Sequence, residues 1–203
     1  MVVTKLTAIV LAGGRSLRMG QDKALIRIQG VPLLQLVCGI AGSCADTVYV
    51  VTPWQERYQH LLLPKCQLIR EVPLFGAVGE EQPPNGPLIG FAQGLAHVET
   101  EWVLLLACDL PKLQVSVLQE WTAFLDGVGD GAIAALAHHP KGWEPLCGFY
   151  HRRCLPNLLD FIHQGGRSFQ DWLQQQPVQV LPVREPSMLL NCNTPEDLLI
   201  VNC

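Results

Sequence analysis

The chain alternates apolar, β-rich runs with segments whose apolar residues recur at helical spacing, and this alternation constrains its fold more than any other feature. The β-rich runs predict five buried strands, at residues 7–11, 47–52, 66–72, 102–108 and 132–137. The segments between them predict four helices, at residues 32–44, 54–63, 87–98 and 114–125. Such alternation is typical of an α/β fold, in which helices cover both faces of a mostly parallel sheet. Ligands of such sheets bind beyond the carboxyl ends of the strands, so functional residues are expected in those loops.

The rest of the chain continues this alternation less regularly. It predicts a strand at residues 143–150, helices at 155–163 and 169–175, and a further strand at 178–183. The adjacent His138 and His139 predict a surface loop, because neighbouring residues point to opposite faces of a strand. The sequence contains no linker, repeat or low-complexity tract, and 203 residues suit one domain, so a single domain is expected over residues 1–203. The long loop at 71–86 is rich in Gly and Pro, and loops of that length are often functional.

Charged residues are scarce, at 16% of the chain against about 25% in a typical domain, while 49% of the residues are hydrophobic. This composition is the opposite of that of a disordered chain and predicts a packed core. The net charge is −4, and no basic tract reaches five like charges. Such a chain lacks the attraction that nucleic acids and anionic membranes require, so we expect neither as a partner. A nucleotide bound by this protein is expected to be a small molecule.

The eight cysteines show no CxxC spacing and no histidine at zinc-finger spacing, which argues against a zinc site. Scattered thiols in an apolar chain are typical of small core residues in a reducing compartment, so a cytoplasmic protein is expected. The longest apolar stretches, at residues 6–12 and 102–108, are far shorter than the roughly 20 residues of a membrane span. The first stretch follows Lys5 and also has features of a signal-peptide core, which is an open alternative.

A glycine-rich, basic loop with the sequence LAGGRSLRMGQDK begins at the end of the first predicted strand. Gly13 and Gly14 let the backbone approach a ligand closely and point its N–H groups at an anion. Arg15, Arg18 and Lys23 add positive charge. The loop therefore predicts a phosphate-binding site, although it has neither the P-loop pattern GxxxxGK[ST] nor the dinucleotide fingerprint GxGxxG. The alternative is a glycine turn followed by a solvated basic face.

Asp109 directly follows the apolar run at residues 102–108, where an α/β sheet presents its ligands. A carboxylate at that place predicts a Mg²⁺ ligand, because Mg²⁺ typically binds one or two carboxylates together with substrate phosphates. The alternative is that Asp109 caps the turn before the helix near Gln114. Cys108 beside it is not expected to be a nucleophile, since the sequence places no histidine to activate it.

Two further segments combine asparagine with the start of a predicted helix. At residues 85–90, free N–H groups next to glycines suit a base edge or a phosphate, and a plain loop-to-helix turn explains the pattern equally well. At residues 191–197, a threonine, a proline and an aspartate form a helix cap. This cap leaves Asn191 and Asn193 free to face the site.

In four motifs the chain resembles the molybdenum cofactor guanylyltransferases, which are nucleotidyltransferases with a Rossmann-like fold of the nucleotide-diphospho-sugar transferase type. The motifs are LAGGxSxRMGxDKAL at residues 11–25, GPLxG at 86–90, CDLP at 108–111 and NxNTPED at 191–197, and they span almost the whole chain. The first is specific as a unit, whereas GPLxG and xDxP also occur in related cytidylyltransferases. Relatives that use CTP tend to carry LAAG where this chain has LAGG, so the resemblance implies GTP as the nucleotide.

The resemblance also implies roles for individual residues. The nucleotide-binding residues that it implies are Leu11, Ala12, Gly13, Gly14, Lys23, Glu71 and Asp109. It implies catalytic roles for Lys23 on the phosphates, for Asp109 as the Mg²⁺ ligand, and for Arg18. The family usually has an aspartate shortly before GPLxG, whereas this chain has Glu71 and then an extended loop. Either Glu71 substitutes for that aspartate or the contact is lost.

The implied reaction is a nucleotidyl transfer between GTP and molybdopterin. The terminal phosphate of molybdopterin attacks the α-phosphorus of GTP, and pyrophosphate leaves. Mg²⁺ is the implied cofactor, and molybdoenzyme apoproteins and their chaperones are the implied protein partners. Two alternatives stay open: a cytidylyltransferase or sugar-1-phosphate nucleotidyltransferase on the same scaffold, and a non-catalytic carrier of a nucleotide or cofactor.

Overall fold

The computed structural model describes residues 5–14, 21–73, 85–192 and 197. The strands in these ranges are β1 (Leu6–Leu11), β2 (Arg27–Ile28), β3 (Val31–Pro32), β4 (Thr47–Thr52), β5 (Cys66–Arg70), β6 (Trp102–Ala107), β7 (Ala134–His139), β8 (Gly142–His151) and β9 (Val178–Val180). The helices are α1 (Leu33–Cys44), α2 (Gln55–Tyr58), α3 (Pro87–Leu95), α4 (Val115–Phe124), α5 (Leu155–His163) and α6 (Phe169–Leu173).

Within the described ranges, seven strands form one sheet in the order β5-β4-β1-β6-β8-β7-β9. β8 is antiparallel to both of its neighbours, β6 and β7, and the other pairings in this sheet are parallel. The prediction of a mostly parallel α/β sheet is therefore confirmed. The carboxyl ends of β5, β4, β1 and β6 lie along one edge of the sheet, which is the edge where ligands of such folds bind.

Helices cover both faces of this sheet because alternate residues of each buried strand point to opposite sides. Ala8 and Val10 of β1 belong to a core that includes residues of α1 and α4. Ile9 of the same strand belongs to a second core with residues of α3, α5 and α6. The strand that carries the glycine loop is thus held between two packed layers, which fixes the position of its carboxyl end.

Several sequence-based boundaries differ from the structure. The helix predicted at residues 54–63 is the short α2, followed by the 3₁₀ turn Gln59–Leu61. The surface loop predicted for His138 and His139 is wrong, because both lie in β7, opposite Trp143 and Gly142 of β8. An irregularity in register between Leu136 and His138 precedes this end of the hairpin. Pairing with a distant strand therefore decides the local structure there.

The apolar run at residues 6–12 contains β1, an interior strand of the sheet, and is part of the folded core. Seven cysteines in the described part of the chain are free thiols, and five of them are buried. This agrees with the interpretation of the thiols as core residues. In the described ranges, no helix has the length and apolar character needed to cross a membrane.

Two helical glycines give a matched prediction about packing. A Cβ at Gly94 in α3 would lie 2.8 Å from Val51 Cγ2 and 3.1 Å from Ile9 Cδ1. We expect Gly94→Ala to lower the free energy of unfolding by up to about 2 kcal/mol, because an overpacking cost of about 1–3 kcal/mol outweighs a helix-propensity gain of about 1 kcal/mol. A Cβ at Gly39 in α1 would lie 3.7 Å from Leu63, an ordinary contact, so Gly39→Ala should be neutral or stabilising. Urea denaturation measures both, and a Gly94→Ala protein as stable as the Gly39→Ala protein would contradict the prediction.

Candidate active site

A pocket of about 360 Å³ lies at the carboxyl ends of β1 and β6, between the residue that follows β5 and the start of α3. Its volume is in the range of small-molecule sites, which is about 300–1,000 Å³. The residues that line it are Leu11, Ala12, Gly13, Gly14, Asp22, Lys23, Ala24, Tyr58, Glu71, Asn85, Gly86, Pro87, Gly90, Ala107, Cys108, Asp109 and Leu146. All seven nucleotide-binding residues implied by the resemblance therefore line this pocket, whereas Arg18 lies outside the described residues.

Backbone hydrogen bonds extend the parallel pairing past the last residue of β1 and fix the floor of this pocket. The N–H of Ala12 donates to the carbonyl of Val51 over 2.9 Å, and the N–H of Cys108 donates to the carbonyl of Leu11 over 3.1 Å. These bonds help to bring Gly13 and Asp109 to the same pocket. The parallel pairing of β1 with β6 thus brings together residues that are about a hundred positions apart in the sequence.

Lys23 and Asp109 form a part-buried ion pair across the pocket. Lys23 Nζ lies 3.4 Å from Asp109 Oδ2, and the two side chains are 16% and 20% exposed. Burial raises the pKa of the Asp109 carboxyl above its usual value, and the Lys23 ammonium opposes that rise. Gln114, and not Asp109, is the N-cap residue of α4. The carboxylate instead faces the pocket.

The last sequence motif reaches the same place through its backbone. The N–H of Cys192 donates to the carbonyl of Asp109 over 2.9 Å, so the segment that carries Asn191 passes beside the ion pair. Asn193 and the predicted cap residues that follow it lie outside the described residues. At the other side of the pocket, Gly86 is the N-cap of α3, and Pro87 is its first residue.

Glu71 forms a buried wall of the pocket between two glycines. The residue is only 8% exposed, and its Oε2 lies 2.7 Å from where a Cβ on Gly13 would be and 3.3 Å from the corresponding position on Gly90. The absence of side chains at these glycines therefore makes room for the carboxyl group. Burial raises the pKa of Glu71 to about 7, and a hydrogen bond with the Asn85 side chain acts in the opposite direction. Glu71 thus lines the pocket directly, and its substitution for the family's usual aspartate stays a prediction.

The raised pKa of Glu71 predicts a pH-dependent stability. Its carboxyl is protonated in the folded protein below about pH 7, but in the unfolded chain only below about 4.5. The folded state therefore binds more protons in this interval, and stability falls as the pH rises through it. We expect Glu71→Gln to be more stable than the wild type at about pH 8, by roughly 2 kcal/mol, and to lose this advantage towards about pH 4.5. Urea denaturation at both pH values measures the difference, and an advantage of equal size at both would contradict the prediction.

Comparison with known proteins places the chain in a family. Residues 8–180 match the family model described as the MobA-like NTP transferase domain. The chain belongs to this family. A probable molybdenum cofactor guanylyltransferase of Nostoc sp. is 68% identical over 199 residues, which cover 98% of this chain and 91% of that protein. A protein of the same description from Synechococcus elongatus is 43% identical over 190 residues, or 94% of each chain.

Solved structures show the same fold for this MobA-like NTP transferase. The crystal structure of the molybdopterin-guanine dinucleotide biosynthesis protein A of Archaeoglobus fulgidus superposes with a TM-score of 0.76. The two proteins are 23% identical, and the match covers 97% of this chain and 96% of that one. The Rossmann-like nucleotidyltransferase fold implied by the motifs is therefore confirmed.

The donor set of this MobA-like NTP transferase fits a cation that is bound together with a substrate. In the described ranges, no group of three or more His, Cys, Asp or Glu side chains is arranged to enclose a metal. Asp109 nevertheless presents a carboxylate to the pocket, and Mg²⁺ commonly takes few protein ligands and completes its shell with phosphates and water. Burial raises the pKa of the neighbouring Cys108 thiol.

Sequence reasoning missed two pocket residues, Asp22 and Tyr58. Asp22 lies inside the first motif, but its residue type alone gave no reason to separate it from other loop carboxylates. Tyr58 lies in a segment that predicted only an amphipathic helix. The signal that could have identified it is a tyrosine at the end of the helix that follows β4, where a hydroxyl group can reach the carboxyl edge of the sheet.

Proposed function

We propose that this protein transfers GMP from GTP to the terminal phosphate of molybdopterin, which releases pyrophosphate and forms the guanine dinucleotide cofactor. The observation that carries this proposal is a single pocket that contains the glycine turn, the Lys23 ammonium and the Asp109 carboxylate. Relatives at 68% and 43% identity are described as probable molybdenum cofactor guanylyltransferases, which supports the choice of substrates. Their similarity extends over nearly the whole chain.

The chemistry of the acceptor explains why the pocket needs no general base. A terminal phosphate is already anionic near neutral pH, so it can attack the α-phosphorus without losing a proton to a side chain. What remains is to position two polyanions and to neutralise their charge. The Gly13 and Gly14 N–H groups and the Lys23 ammonium supply donors and positive charge to the triphosphate. Mg²⁺, for which Asp109 is the proposed ligand, supplies further charge neutralisation at the phosphates.

The wall formed by Glu71 suits the proposed base. Guanine presents two neighbouring donors, N1–H and the N2 amino group, whereas cytosine presents one amino group beside an acceptor nitrogen. A carboxylate has two oxygens and accepts from both guanine donors. Leu11 and Ala12 line the pocket next to the Gly13 backbone that contacts Glu71, and they supply an apolar surface for the purine ring. These features support GTP over CTP.

A nucleotide panel tests the proposed function. The protein is incubated with molybdopterin, Mg²⁺ and each of GTP, CTP, ATP and UTP in turn, and pyrophosphate is measured. We expect release with GTP and its loss when Mg²⁺ is chelated. Release with CTP and not with GTP would overturn the guanylyl assignment in favour of a cytidylyltransferase. Binding of GTP without any pyrophosphate release would favour the non-catalytic carrier.

The proposal includes a cellular setting. The free thiols of the described cysteines support a reducing compartment, and we place the protein in the cytoplasm on that ground. The product would pass to molybdoenzyme apoproteins and their chaperones. Isotope-labelled cofactor, made by this protein and recovered in a purified molybdoenzyme apoprotein, would test that transfer.

A further inference from the structure

The backbone that carries Lys23 is a short turn outside the main sheet. Lys23 begins the 3₁₀ turn Lys23–Leu25, and the residue before it, Asp22, is the N-cap. Asp22 Oδ1 accepts a hydrogen bond from the N–H of Ala24 over 3.1 Å, and the Asp22 carbonyl accepts one from the N–H of Leu25 over 3.1 Å. The direction in which the Lys23 side chain leaves the backbone therefore depends on where Asp22 is held.

Asp22 is held from the core by Tyr58. The hydroxyl group of Tyr58 donates to Asp22 Oδ2 over 2.8 Å, so each carboxylate oxygen of Asp22 has a separate donor. Tyr58 is only 1% exposed and packs in the core that includes residues of α1 and α4. Its ring is consequently held in place by core packing. Arg57 Nη1 lies 3.7 Å from the same Asp22 oxygen and adds a partly exposed positive charge.

The hydroxyl group of Tyr58 is not needed to fill the core. A phenylalanine ring would occupy the same volume and would spare the cost of burying a polar group. The hydroxyl instead reaches a carboxylate that caps the turn of the pocket lysine, and both residues line the pocket. The contact thus connects the rigid end of α2 to the position of the Lys23 ammonium, which lies 3.4 Å from Asp109.

We infer that the Tyr58–Asp22 hydrogen bond is a positioning device that holds the Lys23 ammonium where the triphosphate binds. The inference rests on the proposed function, because that function gives Lys23 its role on the phosphates. Tyr58 and Asp22 are positioning residues and act through Lys23. A Lys23 ammonium that is already held in position needs little reorganisation when the triphosphate binds. Preorganised charges of this kind accelerate phosphoryl and nucleotidyl transfer.

The first test is Tyr58→Phe, assayed by pyrophosphate release with GTP and molybdopterin. We expect kcat to fall roughly 10- to 100-fold, as expected for a catalytic group displaced by about 1 Å, while KM for GTP changes less than about threefold. Asp22→Asn keeps one carbonyl oxygen that can cap the turn, so it should lose less activity than Asp22→Ala.

A double-mutant cycle separates positioning from general destabilisation. In a Lys23→Ala background, Tyr58→Phe should change kcat by less than about twofold, because the group that it positions is gone. Equal fold-losses with and without Lys23 would overturn the inference. So would a Tyr58→Phe protein whose kcat and KM are within about twofold of the wild-type values.

Tyr150→Phe is the matched control for the loss of one buried phenol hydrogen bond. The hydroxyl group of Tyr150 donates to the carbonyl of Pro145 over 2.8 Å, in the core on the opposite face of the sheet. Tyr150→Phe should lower Tm about as much as Tyr58→Phe does, and it should leave kcat within about twofold of the wild-type value. A comparable loss of kcat in this control would show that any buried hydroxyl matters equally and would overturn the inference.

Failure of the proposed function is visible on the wild type alone, as absence of pyrophosphate release with GTP. In that case the affinity for GTP in the presence of Mg²⁺ is measured by calorimetry for the same four proteins of the cycle. Weaker binding by Tyr58→Phe that vanishes in the Lys23→Ala background supports the inference. Unchanged binding, or additive losses, overturns it.

Discussion

Asp109→Asn should lower kcat for GMP transfer by roughly 10³-fold or more while the protein keeps its fold. The substitution preserves the size of the side chain but removes the carboxylate that faces Lys23 and, in the proposed reaction, binds Mg²⁺. Two positive charges that neutralise the phosphates are then displaced together: Mg²⁺ loses its proposed ligand, and the Lys23 ammonium loses its ion-pair partner. Pyrophosphate release under saturating GTP and molybdopterin measures the effect.

The fold should survive this change for an electrostatic reason. Burial raises the pKa of Asp109, which means that the ionised carboxylate is less favourable in the folded protein than in water. Removing the charge therefore removes a desolvation cost as well as the ion pair, and Tm should shift by only a few degrees. Asp130→Asn is the matched control, because Asp130 is exposed and does not line the pocket. Retention of more than about a tenth of wild-type kcat by Asp109→Asn would show that the metal and catalytic assignment of this residue is wrong.

The parts of the fold that the sequence predicts are those set by local pattern. Residues 102–108 are apolar without interruption, and such a run is typical of a strand buried on both faces. Asp109 and Gly13 follow two such runs, so general rules for parallel sheets were sufficient to place them at one edge. Their adjacency in the structure results from the direct pairing of β1 with β6.

The parts that the sequence does not predict depend on contacts between distant segments. His138 lies in a strand because Trp143 pairs with it, and no local pattern of the two histidines indicates that partner. Tyr58 and Asp22 meet across 36 residues, and an aromatic residue at helical spacing is most simply interpreted as core. In the sequence, Glu71 stood out only through its place before GPLxG. Its position in the pocket depends on two glycines, Gly13 and Gly90, whose missing Cβ atoms leave space for the carboxyl group. The sequence does not show that these residues meet.

Gly13→Ala should reduce the affinity for GTP by roughly 100-fold through this last contact. The backbone of Gly13 is outside the left-handed region, so alanine is not strained by its φ angle. The new Cβ would instead lie 2.7 Å from Glu71 Oε2, which forces the carboxyl group out of its place in the pocket. Gly14→Ala is the control for stability, because no atom of the described residues lies within 4 Å of the Cβ position there, and its Tm should equal that of the wild type.

A second substitution separates this steric cause from a requirement for glycine as such. Glu71→Asp shortens the side chain by one methylene and withdraws the carboxyl group from Gly13. The double variant Gly13→Ala/Glu71→Asp should therefore bind GTP at least about tenfold more tightly than Gly13→Ala alone, although Glu71→Asp by itself weakens binding. Calorimetry with GTP and Mg²⁺ measures the four affinities of this cycle. Additive losses would mean that Gly13 is needed for the approach of its own backbone to the nucleotide and not for the space that it leaves to Glu71.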